Sequence, residues 1–552
     1  MPRRGQQCDG LPVSEITVVS RGPFLEGAVY RRMRWLGKIS DRLHADTREG
    51  IIRRFLILEV GKPCTELRRA ESERILRAQP YLAEADVRAV PDETGGVRIE
   101  VTTADELSTL IGIGLRTAPK TELTVLKLGS ANLGGQAIYA LGEWRKGFFY
   151  RDLWAMRFTD YQFAGRPYQL SVSGTRRPIG GEWDAEFSHP FLTDLQRIAW
   201  RVSGGESSTY VRYLRKEGRS PALQLERSFV DVGGIVRIGV PGRLSLFGAS
   251  ISREREAPGE LPVIITDSGI VQDTSPELTR RFIRHSLGRV NALWGVRNVA
   301  FKRVTGFDAL LAPQDVRIGF QFGTLFGRGL SVVGSADDDI FVSADMYAGA
   351  GSRRSFVGLQ VSGEGRQDYD RNRWDGVLAS GRLAWYLKPA LPQTTILSAE
   401  FSSGWRQRVP FQLALGEFDG GVRGFRNSTA AGSQRAVARL EHRWLWPGVI
   451  NRTGALAIGA FADAGRVWAG DAPFGVDTRL NTSAGVSLFA AVPPRSKRLW
   501  RIDVAFPRGP DRAKSMEFRL TSGDHSRNFW VEPPDVRRGR ERSVPTSIFT
   551  WP

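Results

Sequence analysis

Trp500-Arg501-Ile502-Asp503-Val504-Ala505-Phe506 sets an apolar side chain at every even position and Arg501 and Asp503 between them. Successive side chains of an extended chain point to opposite faces, so this alternation describes a strand with one apolar and one polar face. The pattern recurs. Val316, Ile318, Phe320 and Phe322 face one way, and Arg317, Gly319 and Gln321 the other. Val377, Ala379, Leu383, Trp385 and Leu387 oppose Ser380, Arg382, Tyr386 and Lys388. The last such run sets Met516, Phe518 and Leu520 against Glu517 and Arg519. From about Leu107 to Gly523 these runs are punctuated by Gly, Asp, Asn and Pro clusters, and helical spacing is lost.

Two architectures share that pattern. In a soluble sandwich or propeller the polar face meets solvent; in a membrane barrel it lines a lumen. Composition bounds the choice. The chain has 552 residues, 41% of them hydrophobic, which exceeds one small domain and excludes a fully disordered protein. Two cysteines exclude a disulfide-dense scaffold. No stretch approaches the roughly 18 to 20 uninterrupted apolar residues of a spanning helix. With 78 basic and 59 acidic residues the net charge is +19, which taken alone suggests a basic soluble protein whose partner is nucleic acid or an anionic surface. Average hydropathy is blind to barrel strands, however, because they carry an apolar residue only at alternate positions. Residues 107–523 divided among sixteen strands leave about 26 residues for each strand and its connection, within the range of a barrel.

The N-terminal region reads differently. Ile16 to Val19 is β-prone, and Asp46-Thr47-Arg48-Glu49 has the form of a capped helix start before Ile51, Ile52 and Phe55. A second helix starts near Thr65, sets Leu67, Ala70 and Ile75 on one side, and ends before Pro80. Val97, Ile99 and Val101 then alternate with Arg98, Glu100 and Thr102. The expected domains are a small α+β unit over 12–103, a β-barrel over 107–523 and a disordered basic tail over 524–552, where Pro533 and Pro534 precede Arg537, Arg538, Arg540 and Arg542.

The most informative segment is Leu415-Gly416-Glu417-Phe418-Asp419-Gly420-Gly421-Val422-Arg423-Gly424-Phe425. Its glycines suit a loop packed closely on other backbone, where an unpaired guanidinium would be costly. Arg423 therefore calls for a carboxylate. On Phe461-Ala462-Asp463-Ala464-Gly465, alternation from the outward Leu456 and Ile458 turns Phe461 and Asp463 inward, where Asp463 can pair with an Arg carried by an infolded loop.

Val422-Arg423-Gly424-Phe425 together with Phe461-x-Asp463-x-Gly465 resembles paired signatures of the BamA/TamA superfamily of outer-membrane proteins, whose members carry POTRA domains and a bacterial surface antigen type barrel. Arg439-Leu440-Glu441-His442-Arg443-Trp444 is similar to the family's strand after that loop, and 12–103 to one POTRA repeat. The resemblance implies a sixteen-stranded barrel in which Arg423, flanked by Gly424 and Phe425, contacts Phe461 and Asp463. That contact is either a fixed structural lock or one that switches during transport. The resemblance further implies a bacterial outer-membrane location with the POTRA-like unit in the periplasm, and a role in inserting or translocating other proteins. Expected partners are unfolded outer-membrane or secreted clients, outer-membrane lipid and periplasmic accessory proteins, with no nucleic acid. A strand edge at Val97, Arg98, Ile99, Glu100, Val101 and Thr102 is a candidate site for clients by strand addition. In an oxidising periplasm Cys8 and Cys64 pair; otherwise they are two unrelated buried thiols. Family members often carry several POTRA repeats and end at an aromatic closing residue, whereas this chain has room for one repeat and continues for about thirty residues beyond the last strand. Met1 to Gly10 lacks the apolar core of a signal peptide, so a processed form or an upstream start is expected.

No catalytic, metal or cofactor set emerges. Asp368-x-Asp370-x-Asn372 begins like a calcium loop, but Arg373 stands where Gly is needed and Ala379 where the bidentate Glu belongs. The five histidines lack ligand spacing, and nucleophile-elbow and phosphate-loop motifs are missing, so no enzyme is expected. Two functions remain: an assembly or translocation barrel, and a passive pore or structural surface barrel with the same architecture.

Overall fold

The computed structural model describes residues 8–23, 45–93, 95–116, 122–146, 152–266, 269–390, 392–416, 420–446, 454–524 and 529–541. Arg31, Arg32, Arg34, Arg542 and the loop residues Glu417 to Asp419 lie outside them. No helix among the described residues is long and apolar enough to cross a membrane.

The N-terminal unit is built from β1 (Asp9–Arg21), α1 (Glu49–Arg54), β2 (Pro63–Thr65), α2 (Glu66–Ala78), β3 (Leu82–Pro91) and β4 (Val97–Asp105). Its sheet has the order β2-β1-β4-β3, with β1 parallel to β4 and β3 antiparallel to it. Ile52, Leu76, Leu82, Val87 and Ile99 form an apolar core between sheet and helices, the ordinary arrangement of a water-soluble domain. Thr65 caps α2 by accepting the Arg68 N–H. At α1 the expected cap is missing: the helix starts at Glu49 with no side-chain cap. Buried Asp105 instead takes the backbone N–H and the hydroxyl of Thr47, at 2.7 and 2.8 Å. Of the residues that spacing sets on one side of α2, Ile75 is buried but Leu67 is 46% exposed, and Glu71, Glu73, Arg74 and Arg77 are buried.

The second unit is mainly β. Its strands are β5 (Thr109–Arg116), β6 (Glu122–Ser130), β7 (Ile138–Arg145), β8 (Leu153–Asp160), β9 (Gln169–Arg177), β10 (Gly180–His189), β11 (Ile198–Arg212), β12 (Ala222–Val240), β13 (Arg243–Pro258), β14 (Val263–Thr266) and β15 (Gly269–Gln272). They continue with β16 (His285–Thr305), β17 (Pro313–Gly329), β18 (Asp339–Gly351), β19 (Ser355–Asp368), β20 (Arg373–Leu387) and β21 (Gln393–Trp405). A two-residue ladder, β22 (Leu413–Ala414) with β23 (Ala431–Gly432), interrupts the series. The last strands are β24 (Gln434–Trp446), β25 (Ala455–Trp468), β26 (Asn481–Ala491), β27 (Arg498–Arg508) and β28 (Glu517–Asp524).

These form one large antiparallel sheet of 22 strands among the described residues, in chain order, that curls until β28 stands beside β5. The hairpin β14–β15 stands off from the wall, because β13 pairs directly with β16. Sixteen strands were too few. The even division allowed about 26 residues for each strand, whereas residues 109–189 alone hold six, β5 to β10, each of ten residues or fewer.

The wall reverses the usual order of polarity. On β24, Leu440 and Trp444 are 46% and 44% exposed, whereas Arg435 and Glu441 are 2% and 6% exposed. Trp294, Phe326, Trp385, Phe401, Ile458 and Trp500 continue the outward apolar surface, and Arg289, Arg297, Glu364, Asp463 and Asp503 the buried charged one.

The N-terminal unit sits at the end of the sheet that carries short turns. Gln162 binds the Ile51 carbonyl, Asn132 binds Thr47, and buried Glu106 accepts from Ser496 Oγ at 2.6 Å and the Lys497 N–H at 2.7 Å. Helix α2 faces the interior: Arg77 grips Asp315 bidentately at 2.8 and 2.9 Å, and Arg74 lies 4.2 Å over the Phe301 ring. Glu71 accepts from Arg74 and Thr193, and Glu73 from Arg303. Charged residues of α2 are buried because the surface they meet is itself charged.

The expectation of a disordered tail over 524–552 fails for 529–541. That segment enters the interior of the large sheet and forms a short helix, α3 (Pro534–Gly539), with Val536 fully buried and Asp535 and Glu541 nearly so. Asp535, Arg540 and Glu541 find partners on the wall, which composition could not foresee.

Candidate functional site

The loop between β21 and β24, residues 406–433, starts at the end of the sheet opposite the N-terminal unit and folds into the interior. Two backbone reversals place it. Leu415 N–H donates to the Ala430 carbonyl at 2.9 Å, and Val422 N–H to the Leu415 carbonyl at 2.8 Å. Leu415, Val422, Phe425 and Ala430 then pack on Val437 and Val467 of the wall. Glycines permit this approach. At Gly465 a Cβ would lie 2.4 Å from the Val422 side chain, and Gly424, at φ +85°, would set one 3.1 Å from Pro507.

Arg423 is thereby delivered to β25 and β24. Its Nε and Nη2 donate to the two oxygens of Asp463 at 2.6 Å each, and Nη1 donates to Glu441 Oε2 at 2.9 Å. The guanidinium carbon lies 3.7 Å from the Phe461 ring centroid. Two carboxylates and an aromatic face thus surround a cation that is 3% exposed, an arrangement that offsets its desolvation. Glu441 is shared: Arg443 Nε donates to its Oε1 at 2.6 Å, and Arg501 Nη2 to its Oε2 at 2.7 Å. Arg439 reaches the loop directly, donating to the carbonyls of Gly420 and Gly421 at 2.9 Å. A cavity of about 220 Å³ adjoins the group, bounded by Arg382, Glu400, Arg439, Glu441 and Arg501.

Arg423, Gly424, Phe425, Phe461 and Asp463 therefore come together at one place. Arg501 was missed as a partner of Glu441. Alternation turned it inward, but pairing between β24 and β27 spans two intervening strands and has no local signal. Cys8 and Cys64 form a disulfide between the start of β1 and β2, with Cα atoms 5.0 Å apart. The candidate client edge is overturned. Val97, Arg98, Ile99, Glu100, Val101 and Thr102 lie on β4, which is paired on both sides, with β1 and with β3, so its backbone groups are already taken. The alternation in 97–102 identified a strand without saying whether it is central.

No family model and no curated protein matches this chain. Among solved structures it is similar to BamA from Haemophilus ducreyi lacking POTRA domains 1–3, at 12% identity, covering 93% of this chain and 84% of that one, with a TM-score of 0.38. It is also similar to CdiB from Escherichia coli, at 11% identity over 95% and 92% of the two chains, with a TM-score of 0.41. BauA, the ferric preacinetobactin receptor from Acinetobacter baumannii, aligns at 9% identity over 78% and 81%, with a TM-score of 0.37. At these scores none of the three assigns this chain to a family.

Proposed function

We propose that the chain is a bacterial outer-membrane β-barrel of the BamA/TamA type, without enzymatic activity, that assists insertion or translocation of other proteins. The observation that carries the membrane reading is the reversed wall, with apolar side chains such as Trp294, Trp385 and Trp444 outward and charged ones inward. Such a surface is stable only against lipid. The N-terminal unit is then a POTRA-like domain in the periplasm, consistent with its position at the short-turn end and its disulfide.

The assembly role rests on the infolded loop held by Arg423 and on two features that suit handling an extended client. Among the described residues the small sheet ends at β2 on one side and at β3, Leu82–Pro91, on the other; β3 replaces 97–102 as the candidate for strand addition, with Arg69 and Glu73 of α2 already on the backbone groups of Val87. The first and last strands of the wall, β5 and β28, are eight residues each against 21 for β16. The wall closes where β28 meets β5, and the meeting of two such short strands favours a seam there. A permanently open passive pore is disfavoured by an interior filled with loop and tail. Quantitative proteomics of outer membranes after depletion tests the proposal. Other barrel proteins should fall in abundance; unchanged levels, with conductance from the purified protein in planar bilayers, would leave the passive pore.

A further inference from the structure

We propose that the interior of the large sheet contains a peptide-binding groove, that its occupant is the chain's own segment Phe529–Glu541, and that this segment is a displaceable plug. The inference rests on reading the sheet as a membrane barrel.

The segment is recognised along its whole length. Phe529 enters an aromatic cluster, 5.9 Å from Tyr347 and 6.3 Å from Phe356, and its carbonyl accepts from Arg382 at 2.9 Å. Asp535 takes both terminal nitrogens of Arg435, at 2.5 and 3.0 Å, and the Ala414 N–H of the infolded loop at 3.2 Å. Val536 packs among Leu378, Phe411 and Leu413. Arg540 donates to Ser362 and Ser380 at 2.5 and 2.9 Å and to Glu364 at 3.2 Å. Glu541 is bound by Arg289 and Arg366 together, and Arg227 donates to the carbonyls of Arg538 and Arg540 at 3.0 and 2.9 Å. The groove has the sign pattern of its ligand: cations where the segment carries Asp535 and Glu541, and a carboxylate with hydroxyls where it carries Arg540. Its shape fits too. At Gly358 a Cβ would lie 2.7 Å from the Phe529 ring, and at Gly420 one would lie 2.5 Å from Pro533.

What makes the segment displaceable is the kind of contact. No strand pairing joins it to the wall among the described residues; side chains hold it. It can therefore leave without unzipping a ladder, and a peptide of the same chemistry, with acidic residues flanking an arginine, can take its place. Inside the sheet the segment lies against the infolded loop, which it touches at Ala414 and Gly420.

The test keeps the full chain. Residues 525–528 are replaced by a protease recognition sequence, the protein is folded and purified in detergent, and the linker is cut afterwards. The fragment 529–552 should remain with the barrel through gel filtration, and bilayer conductance should stay low. In the same background Asp535→Lys with Glu541→Lys sets like charges against Arg435, Arg289 and Arg366, which should weaken retention about a hundredfold or more. The cut fragment should then be lost and conductance rise. Because the groove itself is unaltered in that variant, a synthetic peptide of residues 529–541 should bind it and restore low conductance. Shedding of the unsubstituted fragment as readily as the substituted one, or failure of the peptide to bind or block, overturns the proposal. If neither protein inserts into bilayers while the fragment is still retained in detergent, the membrane reading has failed and the groove has not. A missing assembly role would show instead as unchanged outer-membrane proteins after depletion, whatever the fragment does.

Discussion

Two segments enter the same interior by different means. Loop 406–433 runs between β21 and β24 and is held by Arg423 on Asp463 and Glu441 and by Arg408 on Asp337 and Asp339. Tail 529–541 spreads its recognition over Asp535, Arg540 and Glu541, facing β24, β20, β19 and β16. The loop brings cations to fixed carboxylates; the tail brings carboxylates to fixed cations and one cation, Arg540, to Glu364. Both segments are thus ordered by buried charge pairs, whose gain offsets the entropy of fixing them.

That comparison is broken most sharply by Arg423→Ala. Asp463 and Glu441 would lose a buried partner, and removing one member of such a pair costs about 3 to 5 kcal/mol. The variant should lose the heat resistance of the folded barrel and expose the loop to protease, while tail retention is less affected. Unchanged heat resistance and loop protection would show that the pairing does not hold the loop. A smaller effect is expected for Gly424→Ala, because φ +85° and the nearby Pro507 both oppose a side chain, at about 1–3 kcal/mol. Its thermal midpoint should fall between those of the wild type and Arg423→Ala, with the loop still protected at low temperature.

The smallest effect lies outside the wall and serves as a control. Glu71 on α2 is opposed by burial, but hydrogen bonding and charge from Arg74, with help from Thr193, hold its carboxyl below the ordinary value of 4.5. A depressed carboxylate contributes stability above its unfolded pKa and loses it as pH falls through the folded value. Docking of the N-terminal unit should therefore weaken below about pH 4.5. Protease sensitivity of the linker near Asp105 measures it, and Glu71→Gln should flatten the dependence.

Much of the wall was legible in the sequence. The inward turn of Phe461 and Asp463 follows from the outward Leu456 and Ile458, because alternation is a local property of extended backbone. The partner of Arg423 was legible for the same reason, helped by glycines that mark a close approach. Leu67 misled because helical spacing says which residues share a face and not what that face meets. The start at Asp46 misled because Thr47 is drawn out of the helix by a distant carboxylate, Asp105, which takes its N–H and its hydroxyl.

By itself the sequence determined that the chain is a two-part molecule, a small α+β unit and a long series of strands with opposed polar and apolar faces. It also determined which side chains of those strands share a face. Only the tertiary structure decided how many strands there are, that β4 is central, that Arg501 joins Arg423 and Arg443 at Glu441, and that a basic, proline-bearing tail lies inside the sheet. The division has a physical cause. Side-chain direction is set by neighbouring dihedral angles, whereas ladder neighbours and buried charge partners are set by how a curled sheet closes around whatever fills it.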